Sequence, residues 1–323
     1  MRLRTAFWNY DRTAPLTDGR VRPDGVALDV EILTPEQTFA RAYDGRGFDV
    51  CEASFSNSVT AWSKGECPYV LLPAFLSRAF RHSAIFVRTD RGIGGPTDLQ
   101  GKTVGLQEYD MTAAVVVRGL LRDHYGLDPA GIRWRVGDGP DARPAAFPKG
   151  GPPADVSILP LPAGKTLAAC LLDGDVDAAI MLRVPPAVAA SDRIRRLFAD
   201  PAQAERDWYR AAGIFPIMHA VGVRRELASA HPGLTRRLYD AFATAKAMAQ
   251  ADLEIIQVPK VTLPWPHVAL AEARRLMGDD PWPYGIAGNR HVLETQLRWS
   301  RQDGLQARPV ALEELFAPDC LDT

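Results

Sequence analysis

Lysine is scarce in this chain: six of its 323 residues are lysine, and arginine carries the remaining basic charge. Basic and acidic residues nearly cancel, leaving a formal net charge of −1. A positive excess of the kind that nucleic-acid modules use is therefore absent. Cysteine is sparse too. Cys51, Cys67, Cys170 and Cys320 lie far apart, with no CxxC and no Cys/His spacing of a metal site. They read as reduced, mostly buried thiols. The start MRLRTAFWNYD lacks the apolar run of a signal peptide, and nothing downstream approaches the length of a membrane span. These absences leave a soluble cytoplasmic protein as the expectation, with no nucleic-acid or membrane partner.

What is present is ordinary globular usage, 46% apolar and 24% charged, in a chain long enough for one large or two medium domains. LRTAFWNY (3–10) and VALDVEIL (26–33) are strand-like, with a turn-rich stretch at 13–25 between them. TPEQTFARAYDG (34–45) has a Thr–Pro helix start and Gly45 as a stop. FDVCEASFSNSVTAW (48–62) reads as a strand entering a helix. YVLLPAF and SAIFVR (83–88) are further strands. In 94–126 a helical turn, the strand KTVGLQ, a loop and the helix AAVVVRGLLRDHY follow one another, with Gly126 closing the helix and Asp110 or Thr112 expected to cap it. A Pro/Gly-rich stretch over 138–165 reads as a long loop or hairpin, and KTLAACLLDGDVDAAIML (165–182) as helix, Gly174, strand. Strands alternating with helices predict a layered α/β fold.

Several residues stand out against this background. SRAFRHS (77–83) crowds Arg78, Arg81 and His82 between two apolar segments. In an Arg-rich chain the plain reading is a solvated loop. The sharper reading is an anion site, because a guanidinium grips a carboxylate through two parallel hydrogen bonds. If the stretch is extended, Arg78 and His82 share a face. Glu52, near Ser54 and Ser56 in an apolar run, must be paired or functional, since an unpaired buried carboxylate is costly. His219 interrupts the apolar FPIMHAVGV. Thr112 opens a helix whose free amides suit an anion, and Arg183 follows the strand DAAIML. Trp265, His267 and Tyr284 flank Pro-rich turns and read as packing.

PTDLQGKTVG (96–105) with LLDGDVDAAI (171–180) resembles type II periplasmic-binding-protein folds, in which two α/β lobes, each a mixed sheet flanked by helices, hold a ligand in the cleft between them. FDVCEASFSNSV, SRAFRHSAIFV, EYDMTAAVVVRGLL, GIFPIMHAVGVRR, LPWPH, PWPYGIAGNR and QDGLQARPVALEELFAPD, in this order, resemble the 4,5-dihydroxyphthalate decarboxylase family across nearly the whole chain. The resemblance implies one lobe from 1–87 plus 216–323 and another from 88–215 between crossing strands. It implies a carboxy-lyase of phthalate catabolism that removes CO₂ from a hydroxylated aromatic dicarboxylate such as 4,5-dihydroxyphthalate, giving protocatechuate. The ring carbon must be protonated by a group titrating near ambient pH, a task suited to histidine. On this reading His82 or His219 delivers the proton, Glu52 orients the histidine or activates the phenol, and Arg78, Arg81, Ser54, Thr112 and Arg183 contact the substrate. No cofactor is expected, because the substrate's own phenol is the electron source, although a divalent metal stays open. The partner is a small aromatic carboxylate, and self-association is open. The alternatives are a binding protein for an aromatic or dicarboxylate anion and another lyase on the same fold.

Overall fold

The computed structural model describes residues 1–43, 47–137 and 156–323. The expected helix stop Gly45 and most of the Pro/Gly-rich stretch, 138–155, lie outside the described residues. In chain order the strands are β1 (Arg2–Phe7), β2 (Ala27–Ile32), β3 (Val50–Ser54), β4 (Tyr69–Arg78), β5 (Ile85–Arg88), β6 (Thr103–Leu106), β7 (Arg133–Val136), β8 (Ile158–Pro160), β9 (Ala178–Ile180), β10 (Ile194–Arg196) and β11 (Ile217–Arg224).

Contacts divide the chain into two compact units. The first comprises Met1–Arg78, Ile217–Leu293 and Val310–Thr323, and the second Ala79–Pro216 and Glu294–Pro309. The expected boundaries differ at two points. The second unit begins at Ala79 rather than at 88, because Ala79 N already donates to Pro216 O within that unit. It also takes in residues 294–309, whose Trp299 and Asp303 are buried against the helix Thr112–Tyr125.

The first unit holds a five-stranded mixed sheet in the order β2-β1-β3-β11-β4. β1, β2 and β3 are parallel, and β11 runs antiparallel between β3 and β4. β4 reads YVLLPAFLSR and is almost wholly buried although it lies at the end of the sheet. Pro73 is tolerated there because an edge strand can spare an N–H. The edge is covered instead of exposed: Gly285 N donates to Pro73 O and Ala317 N to Leu71 O, each at 2.8 Å. Leu3, Phe7, Val50, Leu72, Val221, Leu238 and Phe242 fill the core beneath.

The second unit holds a six-stranded mixed sheet, β10-β5-β9-β6-β7-β8, parallel from β9 through β8 and antiparallel at β5 and β10. Phe86, Leu167, Leu171, Val176 and Val188 pack one side of it. The helix Thr112–Tyr125 ends at Gly126 in the left-handed region, φ 66°, as its sequence predicts. Its start departs from expectation. Met111 is the N-cap and makes no side-chain cap bond, while Thr112 is already helical and buried. The turn before it supplies the entry geometry, with Ala114 N donating to Met111 O.

Candidate active site

In the first unit β1, β3 and β4 point the same way, and β11 starts where they end. The carboxyl edge of such a sheet is where α/β proteins assemble ligands. Glu52 and Ser54 close β3, Ser77 and Arg78 close β4, Tyr10 follows β1, and His219 is the third residue of β11. Register pairs His219 with Ser54 on one side and Ser77 on the other, and the β11–β4 ladder is irregular on both sides of His219. Such irregularities re-aim side chains.

Glu52 has no solvent exposure. A buried carboxylate survives only when donors replace its water. Glu52 Oε1 accepts from Tyr10 Oη at 2.7 Å and bonds His219 Nδ1 at 2.6 Å, and Oε2 accepts from Trp8 N at 3.0 Å. Burial pushes the Glu52 pKa up, but the bonds from His219, Tyr10 and Trp8 outweigh it, so the net shift is downward. The carboxylate is thus ionised at neutral pH. It holds the His219 proton on Nδ1 and leaves Nε2 without a partner among the described residues. Phe39 meets the imidazole edge-on at 4.9 Å, and 17% of the His219 side chain stays exposed. Burial, then the Glu52 charge, pushes the Tyr10 phenol well above its ordinary value, so it remains a donor. A histidine fixed by a carboxylate on one nitrogen and open on the other can carry a proton to or from a bound molecule.

Of the other expected residues, Ser54 and Arg78 share that edge, and Arg81, His82, Thr112 and Arg183 belong to the second unit. Ser54 Oγ caps the helix Phe55–Ser63, accepting from Asn57 N. Arg78 is buried and spends Nη1 on Pro283 O at 2.9 Å and Asn289 Oδ1 at 2.8 Å, clamping the 283–289 loop to β4. SRAFRHS is not one extended segment, which corrects the pairing of Arg78 with His82. Arg78 ends β4 in the first unit, whereas His82 opens a 3₁₀ turn (His82–Ala84) in the second. His82 is fully buried, caged by Phe198 at 4.9 Å, Trp208 at 5.3 Å and Tyr125 at 6.3 Å, and neither ring nitrogen has a hydrogen-bond partner among the described residues. Burial pushes its pKa down to about 4, and His124 adds to the push. Burial also lowers Arg81 to about 10 against the pull of Glu205. Arg183 is exposed, and Thr112 is buried at its helix start. Among the described residues no three His, Cys, Asp or Glu side chains gather in metal-binding geometry.

Two members of the edge cluster were not anticipated, Tyr10 and Arg12. Tyr10 reads as the end of the strand LRTAFWNY, but β1 stops at Phe7; the available signal was the polar NYDR at the end of a strand of a parallel sheet. Arg12 Cζ lies over the Tyr10 ring, 4.0 Å from its centroid, and over the Trp282 ring, 4.5 Å from its centroid.

No family model matches the chain. A curated 4,5-dihydroxyphthalate decarboxylase from Comamonas testosteroni is 40% identical over 324 residues, covering 100% of this chain and 98% of that protein. A second, from Pseudomonas putida, is 38% identical over 212 residues, 65% of this chain and 82% of that protein. Among solved structures, a putative periplasmic sulfonate-binding protein SsuA from Methylobacillus flagellatus superposes with a TM-score of 0.57 at 14% identity, covering 100% of this chain and 93% of that one. This last likeness shows a periplasmic-binding-protein-like fold.

Proposed function

The chain belongs to the 4,5-dihydroxyphthalate decarboxylase family, and on that premise we propose that it releases CO₂ from 4,5-dihydroxyphthalate with His219 as the proton donor. The Glu52–His219 pair, 2.6 Å apart at the carboxyl edge of the first sheet, is the observation that carries this assignment. The substrate bears a hydroxyl para to each carboxylate. That hydroxyl feeds electrons into the ring as His219 Nε2–H protonates the carbon carrying the departing carboxylate. The carbon–carbon bond then breaks, its electron pair returns to the ring, and CO₂ and 3,4-dihydroxybenzoate leave. The proton consumed per turnover is restored to Nε2 from solvent, which the partial exposure of His219 permits.

Glu52 acts through His219. Its charge fixes the Nδ1–H tautomer and stabilises the imidazolium that donates, and Tyr10 and Trp8 N keep that charge in place. His82, the other histidine considered, is a poorer donor. An imidazole neutral down to about pH 4 and enclosed by aromatic rings has no proton to give at neutral pH. The test is CO₂ release by His219→Gln and His82→Gln, with folding checked by circular dichroism. Loss of His219 as the acid is expected to lower kcat by about 10²–10⁴-fold. Near-normal turnover in His219→Gln would remove it from the mechanism. A chain that binds the dihydroxyphthalate tightly without releasing CO₂ would instead be a binding protein.

A further inference from the structure

Arg12 presents the chemistry of a carboxylate receptor. Its guanidinium is held on three sides. Nε donates to Leu76 O at 2.7 Å, Nη1 to Asp11 Oδ1 at 3.0 Å, and Cζ lies over the rings of both Tyr10 and Trp282. Each ring is itself fixed: Tyr10 by Glu52, and Trp282 by the donation of its Nε1 to Phe75 O at 2.8 Å. Nη2 donates to nothing among the described residues, and 15% of the side chain stays exposed. An arginine stacked and pinned in this way has lost its rotamer freedom before any ligand arrives, so little further ordering is needed on binding.

Tyr284 supplies a second donor. Its ring meets Phe75 edge-on at 6.3 Å, its backbone neighbour Gly285 is tied to Pro73, and Arg78 with Asn289 clamps the loop that carries it. Its hydroxyl is buried and has no hydrogen-bond partner among the described residues. Burial pushes the pKa of that phenol well above its ordinary value, against the opposing positive charge of Arg12, so it stays a donor. Two fixed donor atoms, Arg12 Nη2 and Tyr284 Oη, have no acceptor among the described residues, and Arg12 lies over Tyr10, the residue that bonds Glu52.

We propose that Arg12 Nη2 and Tyr284 Oη bind the carboxylate that the substrate keeps, setting the departing one toward His219. This rests on the decarboxylase reading above, and it moves carboxylate recognition from Arg78, whose Nη1 is spent on Pro283 O and Asn289 Oδ1, to Arg12. It also makes a demand of the product, because 3,4-dihydroxybenzoate retains that carboxylate and both hydroxyls, whereas catechol lacks any carboxylate.

The experiment measures calorimetric affinities of 3,4-dihydroxybenzoate and catechol for wild type, Arg12→Gln, Arg12→Lys and Tyr284→Phe, alongside kcat and KM. Arg12→Gln is expected to weaken dihydroxybenzoate by about 30–100-fold and leave catechol unchanged, raising KM far more than it lowers kcat. Arg12→Lys restores only part, since an ammonium neither stacks nor forks, and Tyr284→Phe weakens dihydroxybenzoate by about tenfold. Unchanged dihydroxybenzoate affinity in Arg12→Gln overturns the proposal, as does an equal loss for catechol, which would mark Arg12 as packing alone. If wild type releases no CO₂ but binds dihydroxybenzoate through Arg12, the decarboxylase reading fails and this one stands. If wild type binds neither compound, both fall.

Discussion

Glu52 keeps a negative charge out of contact with solvent because three donors converge on it, and removing any one of them is felt by the other two. Tyr10→Phe leaves the shape of the site intact and deletes one bond to Oε1, so the carboxylate becomes easier to protonate. The expected result is a fall in kcat of about tenfold with the acid limb of the pH–rate profile moved to higher pH. An unmoved acid limb would sever Tyr10 from the relay. Glu52 and His219 were legible in the sequence because each is a polar side chain in an otherwise apolar strand, and such residues must find partners. The surroundings of His82 were not legible, for the opposite reason. Its neighbours in sequence are polar, while its neighbours in space are Phe198, Trp208 and Tyr125, which no local pattern announces. Its burial has a consequence with a definite sign. The folded pKa, about 4, lies below the unfolded value near 6.5. His82 therefore contributes stability that is complete above pH 6.5 and is lost as pH falls toward 4, up to about 3 kcal/mol. Denaturation midpoints taken across that range should fall steeply for wild type and less so for His82→Leu, and equal slopes would contradict the account.

At the scale of elements, the helix Thr112–Tyr125 shows what periodicity can and cannot reveal. Its extent and its glycine stop follow from sequence, but the reason for glycine at 119 does not. A Cβ there would lie 2.1 Å from the Trp299 ring, so Gly119 is the floor against which that indole packs. Arg118, one residue earlier and fully buried, pairs with Asp303 at 2.8 Å, donates to Tyr109 O at 2.8 Å and lies 3.7 Å over the Tyr109 ring. Gly119→Ala is expected to cost about 3 kcal/mol or more by overpacking, read as a lowered thermal midpoint. Asp303→Ala is expected to cost about 3–5 kcal/mol by stranding a buried charge. A midpoint within one degree of wild type in both would mean that 294–309 packs loosely. Nothing within residues 112–126 could have announced these partners, since they lie some 180 positions along the chain.

At the scale of the whole molecule, the α/β class and the two mixed sheets were readable from strand–helix alternation and from motif order. The ownership of the last thirty residues was not, because amphipathic pattern says that a segment is buried and leaves open against what. Residues 294–309 belong to the second unit and 310–323 to the first, where Phe316 and Ala317 cover the β4 edge. Hydrogen exchange separates this arrangement from a single trailing tail. Amides of 294–309 should open together with those of 112–125, and amides of 310–323 with those of β4. Common opening of 294–323 as one block would refute the division.

That division also governs how the polypeptide emerges from the ribosome. Neither unit has all its parts until residues 294–323 have been made: the second lacks the acid that neutralises Arg118, and the first lacks Ala317, which covers Leu71 on its β4 edge. Domains usually fold as they are synthesised, N-terminal first. Here, nascent chains of up to 293 residues carry an unmatched cation at Arg118 and a strand edge covered only in part. Such chains are natural clients for a chaperone, and cells starved of one should lose this protein early.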